Sequence, residues 1–189
     1  MSPTLEHTAL VPDDAHLIGQ RGEEAAEAFR SLYERHVAAI RGYALGRVGP
    51  EAAEDIVSET FAEAWSARSS FDATATSARP WLYGIATNVV ARHRAREERW
   101  LEANRLAARS TDGASTGAVT AYTLDPQLAH AIGELGPGLR DVFLLIALAD
   151  LTVVQCARAL GITAVAARVR LHRARTHLRV ALTKGADHA

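Results

Sequence analysis

The chain has little of what would make it a disulfide-built, membrane-spanning or metal-dependent protein. Its 189 residues include one cysteine, so no intrachain disulfide framework can form, and without a Cys/His ligand set no structural zinc is expected. That lone thiol, Cys156, is expected to pack as a small apolar residue. No stretch approaches the roughly 20 apolar residues that a membrane-crossing helix needs, and the N-terminal residues lack the charged-then-apolar order of a secretion signal. The expectation is a cytoplasmic protein with no membrane insertion. The eight histidines are dispersed, and His172 and His177 are off the spacing that places two ligands on one helical face. No nucleophile–base pair or phosphate-binding loop is evident, so neither an enzyme nor a cofactor or metal site is expected. Strand-like alternation is missing too, which leaves an all-α fold.

Charge of one sign is missing in a telling place. Between residues 158 and 184 there is no acidic residue and there are seven basic ones, whereas residues 1–63 hold twelve acidic against five basic. The formal net charge of −1 therefore conceals a segregation suited to meeting DNA with one region and a protein partner with another. Lysine is almost absent, with twenty arginines to one lysine; arginine suits bidentate phosphate contacts.

The basic segment has the local chemistry of a helix-turn-helix. Thr152 and Gln155 form a Thr-x-x-Gln capping box, in which the two side chains satisfy orphan amides at a helix start. Gly161 supplies the left-handed residue that ends this helix, and Thr163 can cap a second one. In that second helix Ala167, Leu171, Ala174, Leu178 and Leu182 recur at helical spacing as a buried stripe. The opposite face carries Val165, Arg168, Val169, His172, Arg173 and Thr176, a surface suited to duplex DNA.

Upstream, residues 1–22 are polar, acidic and proline-punctuated and are expected to form a mobile arm. A helix is expected over residues 23–45, with Ala28, Phe29, Leu32, His36, Ala39, Ile40 and Tyr43 inward. Gly46 and Gly49 should break it, and Pro50 should open the next helix. There Ile56, Val57, Phe61, Ala64 and Trp65 supply core, while Glu54, Asp55, Ser58, Glu59 and Glu63 leave an acidic outer face. A loop over residues 67–78 precedes a third helix that starts near Pro80 and grows basic toward Arg99. Residues 110–124 read as a flexible linker. Asp125-Pro126 restarts helix, and Gly136-Pro137-Gly138 separates that short helix from a very apolar one over residues 139–149, expected to be buried. Two small helical domains are thus expected, residues 23–109 and 125–183, with a tail over 184–189.

Three stretches, in this order, resemble the sigma factors of bacterial RNA polymerase, specifically the extracytoplasmic-function class of the sigma-70 family. Asp55-Ile-Val-Ser-Glu-Thr-Phe-Ala-Glu-Ala-Trp65 is similar to the polymerase-binding helix of region 2. Pro80-Trp-Leu-Tyr-Gly-Ile-Ala-Thr-Asn88 is similar to the promoter-melting helix. Leu160-Gly-Ile-Thr163, with Arg168 and the run Arg170 to Arg175, is similar to the minus-35 reader of region 4. The resemblance implies that Asp55, Ser58, Glu59 and Glu63 dock on core RNA polymerase. It implies that the loop of residues 69–77 and Asn88 hold a base displaced from promoter DNA, with Arg92, Arg94 and Arg96 on the strand backbone and stacking on Trp81 or Tyr83 as an option. Packing of Trp81 against the first helix is the favoured alternative. It further implies minus-35 contacts from Thr163, Val165, Arg168, Val169, His172 and Arg173, a linker that threads along the polymerase, an anti-sigma factor as a further partner, and a monomer when free.

The chain departs from the family pattern in two places. Val165, Ala166 and Val169 stand where a small residue, a threonine and a serine are usual, leaving polar readout to Arg168, His172 and Arg173. Gly84 and Thr87 stand where arginines are frequent, and the glycine costs a helix about 1 kcal/mol. Two other readings follow: a free-standing helix-turn-helix regulator, or a sigma-like decoy that binds polymerase without promoter recognition.

Overall fold

The computed structural model describes residues 13–107 and 126–186, and all its regular elements are helical. They are α1 (Asp14–Gly19), α2 (Glu24–Ala67), a 3-10 turn (Arg68–Ser70), α3 (Arg79–Ala107), α4 (Pro126–Glu134), α5 (Pro137–Ala147), α6 (Val153–Ala159) and α7 (Ala164–Ala186). The linker expected over residues 110–124, the capping Asp125 and residues 1–12 lie outside the described residues.

The break expected at both Gly46 and Gly49 falls on Gly49 alone. Gly49 takes φ 79 and ψ 177, a conformation essentially reserved for glycine, and Pro50 follows it, bending α2 into two arms. Gly46 stays helical. A single helical glycine costs only about 1 kcal/mol, and the neighbouring Tyr43, Ala44 and Arg47 are buried.

Part of the stretch expected as a mobile arm to residue 22 is helical instead, over Asp14–Gly19. Asp13 accepts the His16 N–H at 2.7 Å and caps α1, whose Leu17 and Ile18 enter the core beside α2. Six residues are too few to register as periodicity, so this helix owes its place to tertiary burial. In the first lobe α2 and α3 close over Leu32, Ile40, Ile56, Leu82, Val89 and Val90.

In the second lobe α5, α6 and α7 bury Leu144, Leu145, Cys156, Ala167 and Ala174. Arg140 is buried with them, its Nε donating to the Ile132 carbonyl at 3.0 Å and its Nη2 to that of Leu135 at 3.0 Å. This guanidinium thereby adds donors to carbonyls at the end of α4, where a helix leaves its last carbonyls short of partners, the Ile132 carbonyl also accepting the Leu135 N–H at 3.2 Å. Burial pushes the Cys156 thiol up to about 11, which leaves it an inert packing residue, as expected.

The two lobes also touch directly. At Gly84 a Cβ would sit 3.1 Å from the Ala159 carbonyl oxygen, so α6 approaches α3 backbone to backbone. Arg79 Nη2 donates to the Ala149 carbonyl at 2.8 Å. Arg47, almost fully buried, pairs with Asp141 of α5 at 2.5 Å, and two of its nitrogens, Nε and Nη1, are buried without a hydrogen-bond partner among the described residues. Burial raises the Asp141 carboxyl against the pull of Arg47, and desolvation, with Arg47 as neighbour, lowers the Arg94 guanidinium to about 10.

Candidate nucleic-acid interface

Helix α7 is built as the sequence predicts. Thr152 accepts the Gln155 N–H at 3.3 Å and Gln155 Oε1 accepts the Thr152 N–H at 2.9 Å, completing the capping box of α6. Gly161 turns the chain at φ 62. Thr163 then accepts the Ala166 N–H at 3.1 Å. Ala167, Leu171, Ala174 and Leu178 face inward, which turns Thr163, Val165, Arg168, Val169, His172 and Arg173 to solvent together. Val165 is 65% exposed and Val169 44%, and they sit among cations. This face can offer bidentate donors to guanine, apolar contact to thymine methyl groups, and charge to phosphates.

A second site lies between the lobes. The loop at residues 70–77 and the start of α3 frame a cavity of about 550 Å³, with Trp81, Ile85 and Asn88 on its α3 wall. Asp72 orders the loop, its Oδ1 accepting the Thr74 N–H at 2.9 Å and the Thr74 hydroxyl at 2.6 Å; these bonds hold its carboxyl below the ordinary range. Trp81 packs edge-to-face on Phe71 of the loop, centroids 5.3 Å apart, and against the buried core. Tyr83 packs on the first helix: it is buried, meets the Tyr43 ring edge-to-face at 5.5 Å and donates to the Ala39 carbonyl at 3.3 Å. Tyr83 is therefore out of reach of a base. Thr87 is structural as well, donating to the Tyr83 carbonyl at 2.7 Å and meeting the Tyr43 hydroxyl at 3.0 Å.

The far wall of this cavity is made by Gln155, Arg158 and Ala159 of α6. Sequence reasoning missed these three, because their pattern is fully explained by the helix-turn-helix and nothing local announces a contact some seventy residues away.

The acidic face and the arginines of α3 meet one another. Arg92 Nη2 donates to Glu59 Oε1 at 3.0 Å and also to Glu63, and Arg96 Nη2 donates to Glu59 Oε2 at 3.2 Å. Partial burial raises the Glu59 carboxyl, but the bonds from Arg92 and Arg96 outweigh it and leave the group below its usual value. Asp55 and Ser58 stay exposed beside this cluster. Arg94, two residues on and so about 200° around the helix, instead donates to the Arg47 carbonyl at 2.5 Å, inside the contact between lobes. Phe61 is buried and Trp65 half-buried, Phe29 packing on both, as expected of core. Among the described residues no three His, Cys, Asp or Glu side chains gather to hold a metal ion, and no helix is long and apolar enough to cross a membrane.

Comparison with known proteins places these surfaces in a common frame. Residues 32–100 match Sigma-70 region 2, and residues 126–178 match Sigma-70, region 4. The chain is 34% identical over 170 residues to the ECF RNA polymerase sigma factor SigL of Mycobacterium tuberculosis, covering 85% of this chain and 93% of SigL. It is 32% identical over 146 residues to the ECF RNA polymerase sigma factor BldN of Streptomyces coelicolor, covering 75% of this chain and 54% of BldN. Among solved structures, CnrH in complex with the cytosolic domain of CnrY superposes with a TM-score of 0.64 at 27% identity, covering 90% of this chain and 95% of that one. The sigma factor RpoE in complex with the anti-sigma factor NepR from Bartonella quintana gives 0.67 at 21% identity, covering 83% and 98%, a likeness of fold.

Proposed function

The chain belongs to the extracytoplasmic-function class of the sigma-70 family and directs RNA polymerase to promoters, and from that premise we propose which of its surfaces performs each part of the task. Asp55, Ser58, Glu59 and Glu63 dock on core polymerase, where acids facing a basic partner favour encounter and register more than raw affinity. The exposed face of α7 reads the minus-35 duplex through Arg168, His172 and Arg173, with Val165 and Val169 against thymine methyl groups and Thr163 at the helix start. The cavity framed by residues 70–77 and Asn88 receives a base displaced from the minus-10 element, and Arg92, Arg94 and Arg96 follow its strand. Before they can do so, Arg92 and Arg96 exchange Glu59 and Glu63 for phosphates, and Arg94 leaves the contact between lobes.

The observation that carries this reading is the joint exposure of Val165, Arg168, Val169, His172 and Arg173 on one face of α7, opposite a buried stripe that leaves them no structural duty, with Thr163 capping the helix start beside them. The protein works by binding, in the cytoplasm and without a cofactor, the chemistry of RNA synthesis remaining with polymerase. An anti-sigma factor holds it inactive; support comes from RpoE, solved in complex with the anti-sigma factor NepR, and from CnrH, solved in complex with the cytosolic domain of CnrY.

The test is transcription by core polymerase and the purified chain on genomic fragments, with sequencing of transcript starts. Discrete starts sharing two upstream elements are expected. Asp55→Ala with Glu59→Ala is expected to weaken polymerase binding severalfold, on the order of 1 kcal/mol for partly exposed charges, and to leave duplex binding intact. Polymerase binding without starts would turn the reading toward a decoy; duplex binding without polymerase binding would turn it toward a free-standing regulator.

A further inference from the structure

Asp14 opens α1, upstream of the residues that match Sigma-70 region 2, and its side chain is 5% exposed at a junction of three segments. From α2 it meets Arg35 Nη1 at 2.6 Å and His36 Nε2 at 2.9 Å. From the loop it accepts the Ser77 hydroxyl at 3.3 Å and, at 2.7 Å, the Ala78 N–H. Ser77 Oγ in turn accepts the Arg79 N–H at 3.2 Å. The first amides of α3 are thus satisfied by a relay that begins on a different helix, where a local capping side chain would be usual.

This relay sits at the exit of the loop that frames the interlobe cavity. Thr76 and Ser77 line that cavity on one side and, on the other, a second cavity of about 500 Å³ bounded by Asp13, Asp14, Arg35 and His36. A two-residue partition between two spaces has little packing of its own to fix it. Its tether is the Asp14 carboxylate, held charged because bonds from His36, Ala78 and Arg35 outweigh the cost of its burial.

We propose that Asp14 is a positioning residue for promoter melting: from a helix outside the matched region it fixes residues 76–78 and so sets the shape of the cavity that receives the displaced base. The proposal rests on the assignment of that cavity to the minus-10 base.

The experiment uses holoenzyme reconstituted from core RNA polymerase and the full chain, on a promoter found by start-site sequencing. Asp14→Ala is expected to bind polymerase as wild type does and to form open complexes on duplex promoter at least about tenfold more slowly, displacement of a positioned group by an ångström costing up to about a hundredfold. On a template premelted across the minus-10 element, it is expected to lose discrimination between the preferred base and its substitutes. Asp14→Asn, which keeps an oxygen for the Ala78 N–H, should retain more discrimination. Amides 72–78 should exchange faster in Asp14→Ala while those of the second arm of α2 do not. Wild-type discrimination in Asp14→Ala would overturn the proposal, as would equal loss of polymerase binding and opening in both variants, the mark of a purely structural residue. If the wild-type holoenzyme itself shows no discrimination on the premelted template, the cavity assignment fails and the proposal falls with it.

Discussion

The two candidate DNA surfaces of this chain are made in opposite ways. The face of α7 is the product of one helix: a cap at Thr163, a period and an inward stripe put Val165, Arg168, Val169, His172 and Arg173 into solvent together. The cavity beside α3 is assembled from a loop, a helix of the first lobe and α6 of the second, and is shaped by Asp14 from a helix at the start of the described chain. A surface made by one helix survives rearrangement of its surroundings, whereas an assembled one changes whenever a contributor moves. The first suits constant readiness to find DNA, and the second suits a step taken only after other contacts are made.

The contrast can be broken most forcefully at the buried ion pair. Asp141→Ala leaves Arg47 an unpaired buried cation and is expected to cost about 3 kcal/mol, read as a lower melting temperature. It should also loosen α6 from α3, so that the cavity gains access to a minus-10 single strand while α7 binds duplex as before. Loss of both activities would mean that the surfaces are not separable. Next is Arg168→Ala with Arg173→Ala, expected to weaken binding to minus-35 duplex by about 2 kcal/mol, with about 1 kcal/mol for each lost contact. Its signature is unaltered polymerase binding and unaltered base discrimination on a premelted minus-10 template. The smallest effect is the sharpest test. In Gly84→Ala the helix gains about 0.5–1 kcal/mol, but the new methyl meets the Ala159 carbonyl at 3.1 Å. Overall stability should shift by no more than about 0.5 kcal/mol, while hydrogen exchange in α6 rises and that in α7 does not.

The same contrast governs what the sequence made legible. Most of what is local could be read: the capping box at Thr152 and Gln155, the turn at Gly161, the inward stripe of α7, the arms of α2 and the core role of Phe61, though not the short α1 capped by Asp13. What could not be read depends on partners far along the chain. Gly46 and Gly49 look alike in sequence, and only the packing around Tyr43 and Arg47 keeps the first of them helical. Arg92, Arg94 and Arg96 look like one basic run, yet two pair with Glu59 while the third enters the contact between lobes. Gly84 reads as a lost arginine and a weakened helix, and its physical role, admitting the backbone of α6, exists only once the second lobe is in place. Asp14 sits in a segment whose composition suggests no structure, because a single buried carboxylate leaves no periodic trace.

That the cavity borrows its far wall from α6 also sets an order of events while the chain is being made. Domains fold as they leave the ribosome, N-terminal first, at about 5–20 residues per second, and roughly fifty residues separate the end of α3 from the end of α6. For an interval of about 3–10 s the newborn first lobe exists with its loop, Trp81 and Asn88 uncovered. Any factor that must reach that face before the second lobe closes over it has its opportunity at the ribosome, and its success depends on how fast the message is read between those two helices.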